Sequence, residues 1–274
     1  MTGALTASDA IFAANRAVGS LSFSVKQVAG KTRRARVHEA GSLRVRCPGA
    51  PAAELEAVLI NTAGGVAGGD RFALDITAEQ GTRLVVTTAA AEKVYRTLGP
   101  DSVIAVKLDV AAGAALAWLP QETILFDRAR MLRSIEVSLA PDASLFLAEA
   151  IVFGRSGMGE TVDEGALIDR WRVRRGGKLI YAETVRLDGA IAARLAEPAV
   201  AKSGVAIATV LIVPGGDAAI AAVRALAFEG EVGASSWNGI AAVRLCANDA
   251  AALRRDLVHV MTAVRGALPR IWTN

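Results

Sequence analysis

Six acids stand where a carboxylate could do chemistry: Asp70, Glu122, Asp127, Glu149, Glu160 and Glu183. Each lies at a turn, at a strand end or inside an apolar run. Asp70 follows two glycine pairs, Gly64-Gly65 and Gly68-Gly69, and precedes Arg71. Paired glycines between apolar runs send the backbone where a Cβ would clash. Glu122 and Asp127 belong to Trp118-Leu119-Pro120-Gln121-Glu122-Thr123-Ile124-Leu125-Phe126-Asp127, and Glu160 closes Gly154-Arg155-Ser156-Gly157-Met158-Gly159-Glu160. Glu183 falls in the run after the Gly176-Gly177 turn. Glu149 is the anomaly, with apolar residues at 145–148 and 150–153 on either side. A carboxylate there is costly unless it is paired or reaches water, and Arg155 is a candidate partner. Taken singly, each acid reads as a solvated turn or a structural ion pair. Two together could form a glycosidase pair, but the sugar-stacking aromatics such sites carry are scarce, at 5% of the chain.

Other chemistries fit poorly. A phosphate-binding loop needs Lys-Ser/Thr after its last glycine, and Asp70 stands there instead. A dinucleotide fingerprint must open a helix, whereas residues 72–76 read as a strand. His38, His259, Cys47 and Cys246 are isolated from one another, so no stable zinc or iron site is expected. Ser156 is the nearest approach to a nucleophile elbow, and neither histidine has a motif that would make it the base.

The elements that must position these residues are mostly strands. Alternation begins at Leu21, Phe23 and Val25, and short apolar runs follow at 43–46, 55–60, 72–76, 84–88, 103–110, 115–119, 124–126, 132–139 and 144–153. Glycine, proline or aspartate punctuates nearly every gap, which predicts an all-β sandwich, barrel or stacked-sheet body over residues 18–200. No fixed repeat period is evident. A strand at 205–213, a helix at 217–228, a strand at 239–246 and a helix at 249–268 predict a small β-α-β-α tail over 201–274 within the same domain. Residues 1–17 are expected to be flexible.

Composition sets the surroundings. The 274 residues are 53% hydrophobic with a mean hydropathy of +0.37, yet the longest apolar runs are of strand length. A membrane helix needs about 18 or more. Net charge is +4 with the signs interspersed, so neither a nucleic-acid footprint nor a membrane segment is expected. Without a leader pattern or paired cysteines, a reduced cytoplasmic protein follows. So apolar a chain predicts apolar patches that meet other proteins, and poor solubility of the isolated chain.

Taken together, Gly64-Gly65-Val66-Ala67-Gly68-Gly69-Asp70-Arg71, Lys93-Val94-Tyr95-Arg96, the run from Trp118 to Asp127, Gly154-Arg155 with Met158-Gly159-Glu160, and Trp171-Arg172-Val173-Arg174-Arg175-Gly176-Gly177 resemble the urease accessory protein D family. The match covers about residues 20–190 in type, order and approximate spacing. Thr62-Ala63 and Gly157 depart from the family pattern, both as backbone-permissive swaps.

The resemblance implies a non-enzymatic scaffold with a mostly β, stacked-sheet helicoid fold. It implies a protein that docks on apo-urease, joins the F-type accessory protein and the G-type GTPase, and helps deliver nickel through an internal tunnel. A conduit must release its ion. Carboxylates and water hold Ni²⁺ more loosely than imidazole and thiolate, so transient nickel with no tightly bound cofactor is expected. Asp70, Glu122, Asp127, Glu149, Glu160 and Glu183 are then the candidates for the nickel path. Gly64, Gly65, Gly68, Gly69, Arg71, Tyr95, Arg96, Gln121 and Arg155 are candidates for structural or partner-binding roles. The alternative is a carboxylate-dependent hydrolase in which Asp70, Glu122 and Arg155 converge on a small polar pocket.

Overall fold

The computed structural model describes residues 15–49 and 53–273, so most of the expected flexible segment 1–17 lies outside the described residues. The chain opens with β1 (Val18–Val28), β2 (Lys31–Ala40), β3 (Leu43–Arg46), β4 (Glu54–Asn61), β5 (Arg71–Ala78) and β6 (Arg83–Thr88). It continues through β7 (Glu92–Val94), β8 (Ser102–Val110), β9 (Ala115–Leu119), β10 (Thr123–Leu125), β11 (Arg130–Leu139) and β12 (Ser144–Phe153). Then come β13 (Glu164–Arg175), β14 (Lys178–Ala190), α1 (Ile191–Ala196), β15 (Ala206–Val213), α2 (Asp217–Arg224), β16 (Glu231–Trp237), β17 (Ile240–Ala247) and α3 (Ala250–Arg265).

Two sheets face each other. The first runs β14-β13-β11-β8-β5-β1-β2 and the second β16-β17-β15-β12-β9-β6-β4-β3, with β7 and β10 attached beside β12. The middle of the chain alternates between them. β4, β6, β9 and β12 lie in the second sheet, and β5, β8, β11 and β13 in the first. Neighbours within each of these sets pair in parallel. Parallel neighbours need a crossover, usually a helix. Here the crossover is a strand of the facing sheet, which gives a helicoid of stacked rungs. The mainly β, stacked-sheet architecture anticipated above is the one observed, and β15, β16 and β17 extend the second sheet.

Alternation decides what enters the space between the sheets. In β11 the inward phase is Met131, Arg133, Ile135, Val137 and Leu139, all buried. In β13 it is Leu167, Asp169, Trp171 and Val173. Leu21, Phe23, Leu84, Leu108 and Leu147 pack with them in the main core. A second apolar layer lies on the other face of the second sheet, where Ala148, Val210 and Val243 meet Leu253, Leu257 and Val260 of α3. β12 is therefore buried on both faces, which explains an apolar run from Leu145 to Phe153 that Glu149 alone interrupts.

The helices begin and end where local chemistry dictates. Asp249 caps α3 by accepting from the Ala252 N–H at 2.8 Å. The helix stops at Gly266, whose φ is 88°, short of the residue 268 expected from the sequence. α2 ends at Arg224, short of the expected Phe228, and Gly216 occupies its N-cap. Asp217 instead accepts from the Ser236 hydroxyl at 2.6 Å. The strand β16 and the short α1 were not anticipated.

Candidate functional site

The charged groups on the inward phase meet in one cluster. Arg133 and Asp169 are direct neighbours across the parallel pair β11–β13. The guanidinium donates from Nε to Asp169 Oδ1 at 3.0 Å and from Nη2 to Asp169 Oδ2 at 2.6 Å. Its Nη1 reaches across to the second sheet, to Glu149 Oε2 at 2.6 Å and Thr123 Oγ1 at 3.3 Å. Each carboxylate also accepts from an indole: Trp118 Nε1 to Glu149 at 2.8 Å and Trp171 Nε1 to Asp169 at 3.1 Å. All three charged side chains are at most 6% exposed. Burial pushes the Glu149 carboxyl up against the pull of Arg133. Burial also opposes the charge of Arg133, but Asp169 and Glu149 outweigh it and raise the guanidinium's pKa. Each guanidinium nitrogen and each carboxylate oxygen thus has at least one specific partner, which helps a buried ion cluster to persist.

Two cavities adjoin this cluster, and a third adjoins the second of them. The first, about 310 Å³, is lined by Gly64, Gly65, Glu92, Gln121, Arg133 and Glu149 among others. The second, about 20 Å³, is walled in part by Glu149, Asp169, Glu183 and Thr209. The third, about 430 Å³ and more open, shares Val185, Ile207, Ala208 and Thr209 with the second and reaches Glu231, Arg244 and Cys246. Glu149 is common to the first and second, so the three form a row through the space between the sheets. Gln121 is buried with its Nε2 unmatched by any protein acceptor, and it lines the first cavity, which has room for water. Glu92 on the same wall takes a hydrogen bond from Asn61 Nδ2 at 3.2 Å. Burial pushes its carboxyl up to about 7.

Of the six anticipated acids, Glu149 and Glu183 share the wall of the second cavity. Glu183 takes the Tyr181 hydroxyl and pairs with Arg244 Nη1 at 2.7 Å. The other four are engaged elsewhere. Asp70, 4% exposed, accepts from the Ala17 and Ala67 N–H groups, each at 2.8 Å, and so pins the glycine turn to the start of β1. Glu122 pairs with Arg254 of α3 at 2.6 Å, while that guanidinium lies over Trp272. Asp127 receives the Asp163 and Glu164 N–H groups at 2.9 and 3.1 Å. Glu160 takes both Arg155 Nε and Nη2, at 2.8 and 2.9 Å, and this pairing lowers its pKa.

Arg155 is therefore the partner of Glu160 and stacks on Phe126, which corrects its candidate pairing with Glu149. The true partner, Arg133, is distant from Glu149 in the chain's turn pattern but adjacent across the two sheets. Glu122 and Arg155 line one open surface pocket, and Asp70 is not on its wall. The convergence a hydrolase would need is not formed.

The glycine loop is a packing device. A Cβ on Gly65 would lie 2.4 Å from the Tyr95 ring, and one on Gly68 would lie 2.0 Å from Thr97 Oγ1. Tyr95 donates to the Gly64 carbonyl at 2.8 Å and meets Phe126 edge-on. Gly69 adopts a φ of 87°. Arg71 and Arg96 are exposed, and Gln121 accepts from Arg254 at 2.9 Å.

Arg133, Asp169 and Glu92 were missed in the sequence. For Arg133 and Asp169 the signal was present: each occupies the apolar phase of its alternation. Among the described residues no three His, Cys, Asp or Glu side chains are placed to hold a metal ion. No helix of the described residues is long and apolar enough to cross a membrane.

The model of the UreD urease accessory protein family matches residues 17–273. The chain belongs to the UreD urease accessory protein family. It is 58% identical over 267 residues to the urease accessory protein UreD of Rhodopseudomonas palustris strain BisA53, covering 97% of this chain and 93% of that one. To the UreD of Bradyrhizobium diazoefficiens it is 54% identical over 276 residues, covering 100% of both. A UreD 1 of Bradyrhizobium sp. strain ORS 278 is 52% identical over 267 residues, or 96% of each chain. Such names describe accessory proteins, in keeping with a non-catalytic role.

Proposed function

We propose that this UreD-family chain docks on apo-urease, joins the F-type and G-type accessory proteins, and passes nickel toward the urease active site through the row of cavities between its sheets. One observation carries the reading: three cavities with shared walls, edged by Glu149, Asp169, Glu183 and Glu231. Carboxylates that are each already partnered would hold a divalent ion loosely, which is what a conduit requires. Cys246, at the open end, has its thiol pushed up by burial and is a poor thiolate ligand. Scaffold, chaperone and transfer roles meet in one body, because the same rungs that stack the sheets enclose the passage.

The experiment is co-expression of the tagged chain with urease subunits and the F-type and G-type proteins, followed by purification and assay of urease activation. Recovery of urease with the F-type protein is the expected result. Thr209, opposite Glu149 in the β12–β15 pair and on the shared wall, gives the sharper test. Thr209→Phe should lower activation severalfold while the complex still forms. Full activation by that variant would remove the conduit reading. Elution of the chain by itself would remove the scaffold reading.

A further inference from the structure

The buried cluster lies where the first and second cavities meet. Arg133 faces the first, Asp169 the second, and Glu149 both. A passage through that point would have to go by a guanidinium hydrogen-bonded to both carboxylates. Arg133 is not their only hydrogen-bond partner. Trp118 holds Glu149 and Trp171 holds Asp169, each from a residue other than Arg133. Each acid keeps one hydrogen bond with the guanidinium withdrawn.

We propose that Glu149 and Asp169 form a two-carboxylate station for a divalent transition-metal cation, and that Arg133 is its resident counter-charge, displaced when the ion arrives. The proposal rests on the delivery reading and names its controlling residue.

Charge and space both support the exchange. With Arg133 in place the cluster sets one guanidinium against two carboxyl groups. A dication neutralises the two carboxylates and frees the guanidinium. The first cavity, at about 310 Å³, is roomy enough for the displaced head group, and Arg133 already lines it. Glu92 on that wall is a carboxyl that ionises near neutral pH and would complete the balance. Gln121, 6% exposed with Nε2 lacking a protein acceptor, adds a polar group that calls for water or a hydrated ligand in the same space. The second cavity, about 20 Å³, is of the size of a single water, so an ion crossing it must shed most of its hydration against carboxylate oxygens. The guanidinium thereby keeps the station closed to monovalent ions, which bring too little charge to compete for two carboxylates.

The test is Ni²⁺ binding to the full-length untagged chain by equilibrium dialysis, without urease present. Arg133→Gln should bind more Ni²⁺ than the wild type, with at least a tenfold gain in affinity at the new site, and Arg133→Gln/Glu149→Gln/Asp169→Asn should lose the gain. Equal binding by Arg133→Gln and wild type would overturn the proposal, as would extra binding that survives loss of both carboxylates. Should Arg133→Gln fail to fold, Arg133→Lys keeps the charge but cannot reproduce the bidentate fork. Its Ni²⁺ binding should then exceed that of the wild type, and equality would overturn the proposal. The two readings separate cleanly. A Ni²⁺ gain in Arg133→Gln with full activation by Thr209→Phe removes delivery and leaves the station. Lost activation with no gain does the reverse.

Discussion

The two faces of the second sheet are built from the same strands, and alternate residues of β12 serve them both. Toward α3 the layer is Phe146, Ala148, Ala150 and Val152 against Leu253, Leu257 and Val260. Toward the first sheet it is Leu145, Leu147, Glu149, Ile151 and Phe153, with an arginine and a second acid opposite and three cavities alongside. Asp256 of α3, also buried, turns to the edge and accepts the Glu229 and Gly230 N–H groups. One face is thus packed for stability and the other keeps polar groups and space. The difference teaches that fold and passage are written in opposite phases of one strand, so they can be perturbed separately.

The largest expected effect comes from breaking the polar layer at its centre. Arg133→Met leaves two buried carboxylates without a counter-charge and should cost about 3–5 kcal/mol in denaturant unfolding. Replacing Arg133, Glu149 and Asp169 together by apolar residues of similar volume should restore most of that loss while abolishing any role in ion passage. On the dry side, Leu257→Ala, from 1% exposure, should cost about 2–4 kcal/mol yet leave Ni²⁺ binding unchanged.

A third effect is pH-dependent. Glu92 has a folded-state carboxyl at about 7, above its ordinary value of 4.5, so the folded state binds more protons between those limits. Stability should therefore fall as pH rises through that window, by on the order of 2–3 kcal/mol, and Glu92→Gln should flatten the profile. Smallest is the cap of α3: Asp249→Ala should cost about 1 kcal/mol, read as a lowered midpoint with no change in the pH profile. A pH-independent Glu92→Gln effect, or a Leu257→Ala effect on Ni²⁺ binding, would break the separation of the two faces.

Much of this was legible from residue types. The alternation at Leu21, Phe23 and Val25 and the turn signals at Gly81 and Gly113 mark strands because side chains there have a period of two. Glu149 stood out because its neighbours leave a carboxylate no water. Its partner was not legible, because pairing follows register, and Arg133 meets Asp169 and Glu149 through parallel neighbours and a facing sheet. Local sequence encodes phase, and it carries no direct mark of which strand lies opposite. The strand β16 escaped notice because Glu231–Trp237 alternates half-exposed small residues on an edge, a pattern with little apolar contrast. Two of the motif acids, Asp70 after Gly69 and Glu160 after Gly159, looked chemical because they sit beside glycine, and each instead holds its turn by accepting a backbone N–H.

The rung-by-rung crossing between sheets has a further consequence for how the molecule holds together. In the order β5, β8, β11, β13 of one sheet and β4, β6, β9, β12 of the other, each rung touches chiefly its predecessor and successor. Cohesion is then close to a one-dimensional chain of nearest-neighbour couplings. Amide exchange should be slowest in the central rungs and quicken toward the edge strands β2 and β14. A weakened rung would divide the protein into two blocks that lose protection at different rates. The cluster at β11–β13 is one such coupling, joined by charge where its neighbours are joined by packing.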